Sequence, residues 1–211
     1  MRTPALTNVF AFTAKRDEVA RFFDELLGLR RPTARDVPDI LRLHYAALRS
    51  ADADAGPGPW DDDLQDVDAV YLSVGGEFVV ATHGAALIAM GALRRVDDTT
   101  AEVKRMRVSP QWQGQGIGRR VATYLEGRAV ELGYTRLILD TTLRQDRALS
   151  LYESMGYRRA GEAVVAGLPS LLFEKRITAD SPAVPRGRAD LGESSAAVQP
   201  LKTAIEKDSE Q

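Results

Sequence analysis

The stretch "SPQWQGQGIGRR", residues 109–120, constrains the fold of this chain more than any other. Ahead of it, "TAEVKRMRVS" reads as a strand; behind it, Ile117, Val121, Tyr124, Leu125 and Leu132 recur at helical spacing. Gly114, Gly116 and Gly118 lie between, a density of glycine that weakens a helix or a strand. Strand, glycine loop and helix together make an anion-binding device. The first amides of a helix have no partner inside it, the helix dipole favours negative charge there, and glycine removes the Cβ atoms that would hold phosphate oxygens away. A phosphate or pyrophosphate is the expected guest.

Two familiar phosphate loops do not fit. The P-loop requires Lys-Ser/Thr after its second glycine, and no such pair follows here. The dinucleotide pattern G-x-G-x-x-G, counted from Gly114 and Gly116, meets Arg119 at its third glycine position. Composition excludes other classes. The net charge of −2 gives no electrostatic footprint for nucleic acid, and no apolar run approaches the ~18 residues of a membrane span. With no cysteine there is no disulfide, no thiolate metal site and no cysteine acyl-enzyme. The two histidines, His44 and His83, read as a helix-face residue and a hairpin-turn residue, so no metal site is expected. Without a secretory leader in "MRTPALTNVFAFTAKRDE", the expected location is cytoplasmic.

Three segments are expected. Residues 1–28 read as an extension ending in an amphipathic helix, with Val19, Phe22, Phe23, Leu26 and Leu27 on one face and Gly28 as its stop. Residues 29–177 read as one domain. It opens with the strand "LRRPTA" and a helix bearing Val37, Ile40, Leu41, Tyr45 and Leu48, then a Gly/Pro/Asp loop and a second short helix in "LQDVDAVYLSV". A meander of "EFVVATH", "GAALIAMGALRRV" and "TAEVKRMRVS" follows, broken by turn signals. After the glycine loop and its helix, capped by Gly133, come the strand "TRLILDTT" and the helix "RALSLYESM", with Asp146 as its cap and Gly156 as its end. "YRRAGEAVV" and "SLLFEKRI" close the sheet. Residues 178–211, free of aromatic residues and rich in Ser, Ala, Pro, Glu and Lys, read as a disordered tail.

The spacing Q-x-x-G-x-G, formed by Gln113, Gly116 and Gly118 at a strand end, resembles the acetyl-CoA-binding motif of the GNAT superfamily of N-acetyltransferases. The likeness extends through residues 101–162, including the "LYESMGY" phrase, and upstream to "LRRPTARDVPDILRLHYAAL". It implies an α/β fold of α+β type: a mixed, mostly antiparallel sheet of six to seven strands flanked by helices and splayed between its fourth and fifth strands. It also implies acetyl-CoA as co-substrate, with no metal. The backbone of Met106, Arg107 and Val108 would pair with the pantetheine arm. The pyrophosphate would lie on Gly114, Gln115, Gly116, Ile117, Gly118 and Arg119. Gln145 stands where the family often has an asparagine that reaches the cofactor.

The resemblance further implies that Tyr152 supplies a proton to the departing thiolate and that Glu102 takes the proton of the attacking ammonium. Each has a plainer reading, Tyr152 as a buried aromatic at helical spacing and Glu102 as a solvated strand-end carboxylate. Arg105 and Arg107 alternate with Lys104 and Met106, which suggests one pair toward the cofactor and the other toward water. Asp61, Asp62, Asp63, Asp66 and Asp68 would attract a cationic amine, with Trp60 packing on its apolar part; a solvated acidic face is the alternative. A small-molecule amine is the expected acceptor. Transfer to a protein amine, or a non-catalytic acetyl-CoA-binding module, are the rival functions. A homodimer through exposed strand edges is compatible with the fold.

Overall fold

The computed structural model describes residues 27–54 and 56–178. Seven strands form one sheet: β1 (Leu27–Arg30), β2 (Glu77–His83), β3 (Ala86–Arg95), β4 (Thr100–Val108), β5 (Arg136–Thr142), β6 (Arg158–Val165) and β7 (Leu168–Arg176). Their spatial order is β1-β2-β3-β4-β5-β7-β6, antiparallel throughout except for the parallel pair β4–β5. Three helices, α1 (Val37–Ser50), α2 (Ile117–Glu131) and α3 (Asp146–Ser154), cover the faces. The mixed, mostly antiparallel sheet expected from the sequence is therefore present, as is the separation of its fourth and fifth strands described below.

Alternation along the strands divides the core in two. One cluster joins Val121, Leu125 and Ala129 of α2 to Leu93, Val103, Leu137, Leu139 and Phe173. The other joins Ile40 and Leu43 of α1 to Leu64, Tyr71, Phe78, Val80 and Met90. Helix ends follow the glycines. After α2, Gly133 takes φ +89°, its amide bonds to Val130 O and the Tyr134 amide to Ala129 O, the paired closure that a left-handed residue permits. Gly156 closes α3 in the same manner.

Several local expectations are corrected. Leu27 and Gly28, expected to end a helix, lie in β1, where the otherwise free edge of β2 pairs them with His83 and Thr82. The rest of that helix and the tail beyond Thr178 fall outside the described residues. Asp146 is the first residue of α3 rather than its cap; Gln145 holds the cap position, its carbonyl accepting from the amides of Ala148 and Leu149. The buried stripe of α1 is Ile40, Leu43, His44 and Ala47, rotated from the expected face so that a histidine points inward. The expected second short helix is a single π turn at Asp68–Leu72, and the expected Gly/Pro/Asp loop ends in a 3-10 turn at Pro59–Leu64.

Candidate active site

Strand β4 pairs with β5 only at Thr100–Glu102 against Arg136–Ile138. Beyond Ile138, β5 continues against β7 alone, so the two central strands part. Past Glu102, the edge of β4 that faces β5 has no strand partner. The resulting wedge exposes backbone groups in the middle of a sheet, where an extended ligand can add itself as a strand.

On its other side β4 carries a bulge. Lys104 lies opposite Ala92 and Arg107 opposite Met90, so Arg105 and Met106 share the single residue Gly91. Arg105 absorbs the extra residue at φ +56°. Gly91 makes this possible, because a Cβ there would stand 2.6 Å from Met106 Sδ and 2.8 Å from Val121 Cγ1. The bulge inverts the alternation expected from the sequence. Met106 and Val108 pack against the α2 core, while Arg107, opposite the buried Met90, faces α1 along with Lys104. The expected division of Arg105 and Arg107 from Lys104 and Met106 does not occur.

The glycine loop runs from the end of β4 into α2. Gln113 Nε2 donates to Val108 O at 3.2 Å and ties the loop to the strand. Gly114 (φ +77°) and Gly116 (φ +82°) occupy the left-handed region, and Gly116 is the N-terminal cap of α2. A Cβ on Gly116 would meet nothing within 4 Å, so space lies open in front of the first helical turn. The amides of Ile117, Gly118 and Arg119 precede the first intrahelical bond, from Arg120 N to Gly116 O, and are available to an anion. Gln115 bonds within the loop, to Gln111 O. The Arg119 guanidinium reaches across to Ser154 Oγ on α3 at 2.6 Å. These features fit a pyrophosphate.

Tyr152 on α3 is buried, edge-on to Tyr157 with ring centroids 5.4 Å apart. Burial raises the pKa of its phenol well above the ordinary tyrosine value, with Arg107 opposing the shift. Its hydroxyl makes no hydrogen bond to any described residue. Gln145, at the start of the same helix, accepts from Thr141 Oγ1 at 2.9 Å. Glu102 lies at the closed end of the wedge, where its carboxylate accepts from Arg94 (2.9 Å to Nε) and Lys104 (3.3 Å). No direct contact joins Glu102 to Tyr152.

The face toward α1 holds a polar cluster that sequence reasoning missed. The Arg105 guanidinium is gripped by Asp63, by Asp61 at 3.1 Å and by the Trp60 carbonyl. Asp63 also accepts from Tyr71, and Asp61 from Tyr45 at 3.2 Å. Two of the acidic side chains expected to draw in a cationic amine are thus engaged by one arginine. Two others cap turns, Asp66 at the Ala69 amide and Asp68 at Ser73 Oγ. His44, 1% exposed, has Asp61 Oδ1 3.0 Å from Nε2 but outside hydrogen-bond geometry, so neither ring nitrogen has a partner. Burial, then Arg107 and Arg105, push its pKa down to about 3, and it is neutral at pH 7.

The sequence model of the acetyltransferase (GNAT) family matches residues 45–157, more than half of the chain. The chain belongs to this family. Its members most similar in sequence include an N-acetylaspartate synthetase of Danio rerio, 32% identical over 52% of this chain and 39% of its own length. N-acetyltransferase 8 of Mus musculus is 37% identical over 49% of this chain and 48% of its own length. The chain therefore spans under half the length of these two relatives. In fold it is similar to a putative acetyltransferase of Salmonella typhimurium solved with acetyl-CoA, at a TM-score of 0.61 and 17% identity over 75% of this chain and 98% of that one. The family match takes in the wedge, the glycine loop and Tyr152. Among the described residues no group of three or more His, Cys, Asp or Glu side chains could hold a metal ion. No described helix is long and apolar enough to cross a membrane.

Proposed function

We propose that the chain moves the acetyl group of acetyl-CoA directly to a primary amine of a small molecule, and that residues 29–177, with the start of β1, carry this activity. The open wedge beside β4 is the observation that carries the reading. It offers the backbone of Met106, Arg107 and Val108 to the pantetheine arm, next to a helix N-terminus able to take the pyrophosphate on residues 114–119. The amine nitrogen attacks the thioester carbonyl carbon, and the carbon–sulfur bond breaks. Tyr152 keeps its proton at neutral pH and gives it to the departing sulfur, while Glu102 takes the ammonium proton through water. With no cysteine in the chain, no cysteine carries the acetyl group between the two substrates.

A small acceptor is supported by the way Arg105 binds the 59–64 turn down onto β4, which narrows the approach from the α1 side. The test is to incubate the chain with isotopically labelled acetyl-CoA and a cell extract split by size. Label in the small-molecule fraction supports the reading. Label on protein instead moves the assignment to a protein acetyltransferase. Coenzyme A binding without transfer to either fraction overturns the enzymatic role.

A further inference from the structure

Arg107 makes one hydrogen bond, from Nη1 to the carbonyl of its neighbour Met106 at 2.8 Å. Its Nε is buried and has no partner, and no carboxylate of the described residues forms an ion pair with it. Burial lowers its pKa to about 10, and Arg105 adds to the fall; it is still a cation at neutral pH. Arg107 as a whole is partly buried, so the cost is local: its Nε donor has given up water without gaining a partner, while Nη2 bonds no described residue.

The nearby carboxylates do not relieve it. Asp63 and Asp61 are committed to Arg105, Tyr71 and Tyr45. Asp140 acts on Arg107 only through the longer-range field, and neutral His44 adds no charge. The unused edge of the guanidinium, Nε with Nη2, is the fork that grips a carboxylate through two parallel hydrogen bonds.

Its position excludes the pyrophosphate as the missing partner. Because of the bulge, Arg107 faces α1, on the opposite side of the sheet from α2, whose N-terminus takes the phosphates. It follows Glu102 on β4, in the stretch whose edge toward β5 has no strand partner, which places it beside the wedge.

We infer that the acceptor is an amine that also bears a carboxylate, of the amino-acid class, and that the Nε/Nη2 edge of Arg107 binds that carboxylate and so sets the amine at the wedge. This rests on the transferase reading above and names its substrate class. Arg105 belongs to the same device: bound to Asp61 and Asp63, it offsets part of the negative field of the 59–64 turn that would otherwise repel an anionic substrate.

The test is equilibrium binding to the full chain loaded with coenzyme A, which requires no turnover. The probes are the individual proteinogenic L-α-amino acids, each against the amine formed by removing its α-carboxylate. We expect at least one amino acid to bind about 10- to 100-fold more tightly than its decarboxylated partner, the range for hydrogen bonds to a charged group. Arg107→Gln should abolish that difference, Arg107→Lys should keep part of it, and coenzyme A binding is read in parallel. The ligand-free melting temperature of Arg107→Gln should equal or exceed that of the parent, because a buried Nε donor without a partner has been removed.

Equal or tighter binding of the decarboxylated amines overturns the inference, as does the absence of amino-acid binding to the parent chain. An Arg107→Gln variant that weakens both probes alike assigns Arg107 a structural role and also overturns it. The parent chain's preference decides the matter even where a variant fails to fold. Arg107-dependent amino-acid binding without an acetylated product would sink the transferase reading and leave the carboxylate site standing. Acetylation of decarboxylated amines alone would do the reverse.

Discussion

Gly116→Ala separates what the loop glycine does for the fold from what it does for the ligand. Gly116 sits at φ +82°, where an L-residue costs about 1 kcal/mol, and a Cβ there would touch nothing within 4 Å. The stability loss should therefore be backbone strain alone, lowering the melting temperature by about 2–4 °C. Gly133 at the other end of α2 is a matched control, at φ +89° and with nothing within 4 Å of its own Cβ position. Gly133→Ala should cost the same. The difference lies in what stands in front of each residue. At Gly116 the methyl group would occupy the space from which phosphate oxygens approach the amides of Ile117, Gly118 and Arg119. Losing one such charge-assisted bond is worth about 1.5–3 kcal/mol, so coenzyme A affinity should fall at least about 10-fold. Thermal melts and calorimetric titration with coenzyme A measure the two quantities on the same samples. A Gly116→Ala protein that binds coenzyme A within about twofold of Gly133→Ala would refute the assignment of the pyrophosphate to this loop.

Four further outcomes follow from contacts elsewhere. His44 titrates near 3 in the folded chain against an ordinary 6.5, so between those values the unfolded chain binds the proton that the folded chain refuses. Stability present at neutral pH is then lost as pH falls below about 6.5, with a slope of up to about 1.4 kcal/mol per pH unit; urea melts at pH 7 and 5 should show His44→Gln with the shallower loss. Gly91→Ala would push a methyl against Met106, Val121 and Leu125, at a cost of about 1–3 kcal/mol, and should weaken coenzyme A binding because Met106 belongs to the bulge beside the wedge. Tyr152→Phe removes a hydroxyl that no described residue holds, so melting should change little while turnover drops about 100-fold or more with coenzyme A affinity retained. Glu102→Gln should likewise lower turnover rather than affinity, and unchanged turnover would leave Glu102 as the partner of Arg94 and Lys104 alone.

The elements that fix the architecture were legible because each rests on local physics. "EFVVATH" is β2 residue for residue, and the last turns of α2 and α3 fall where Gly133 and Gly156 supply the left-handed closure. What stayed illegible depends on neighbours distant in sequence. Alternation from Glu102 onward places Met106 on the α1 face and Arg107 on the α2 face. The extra residue at Arg105 reverses both, and its cause lies on another strand, where Gly91 leaves room for Met106. No pattern within "TAEVKRMRVS" contains that information.

The acidic loop has the same explanation. Five aspartates between positions 61 and 68 read as a trap for cations, since nothing nearby in the sequence opposes them. Their counter-ion arrives from residue 105, turned toward them by the bulge. One backbone irregularity therefore decides two electrostatic facts at once. It spends Arg105 on Asp61 and Asp63, and it turns Arg107 out of the α2 core to face α1 without an anion. Had β4 run straight, Arg107 would face the α2 side of the sheet, and nothing in the site would select a carboxylate. The side chains around the wedge can be read from the sequence; the bulge determines which of them keeps a donor free for the proposed acceptor.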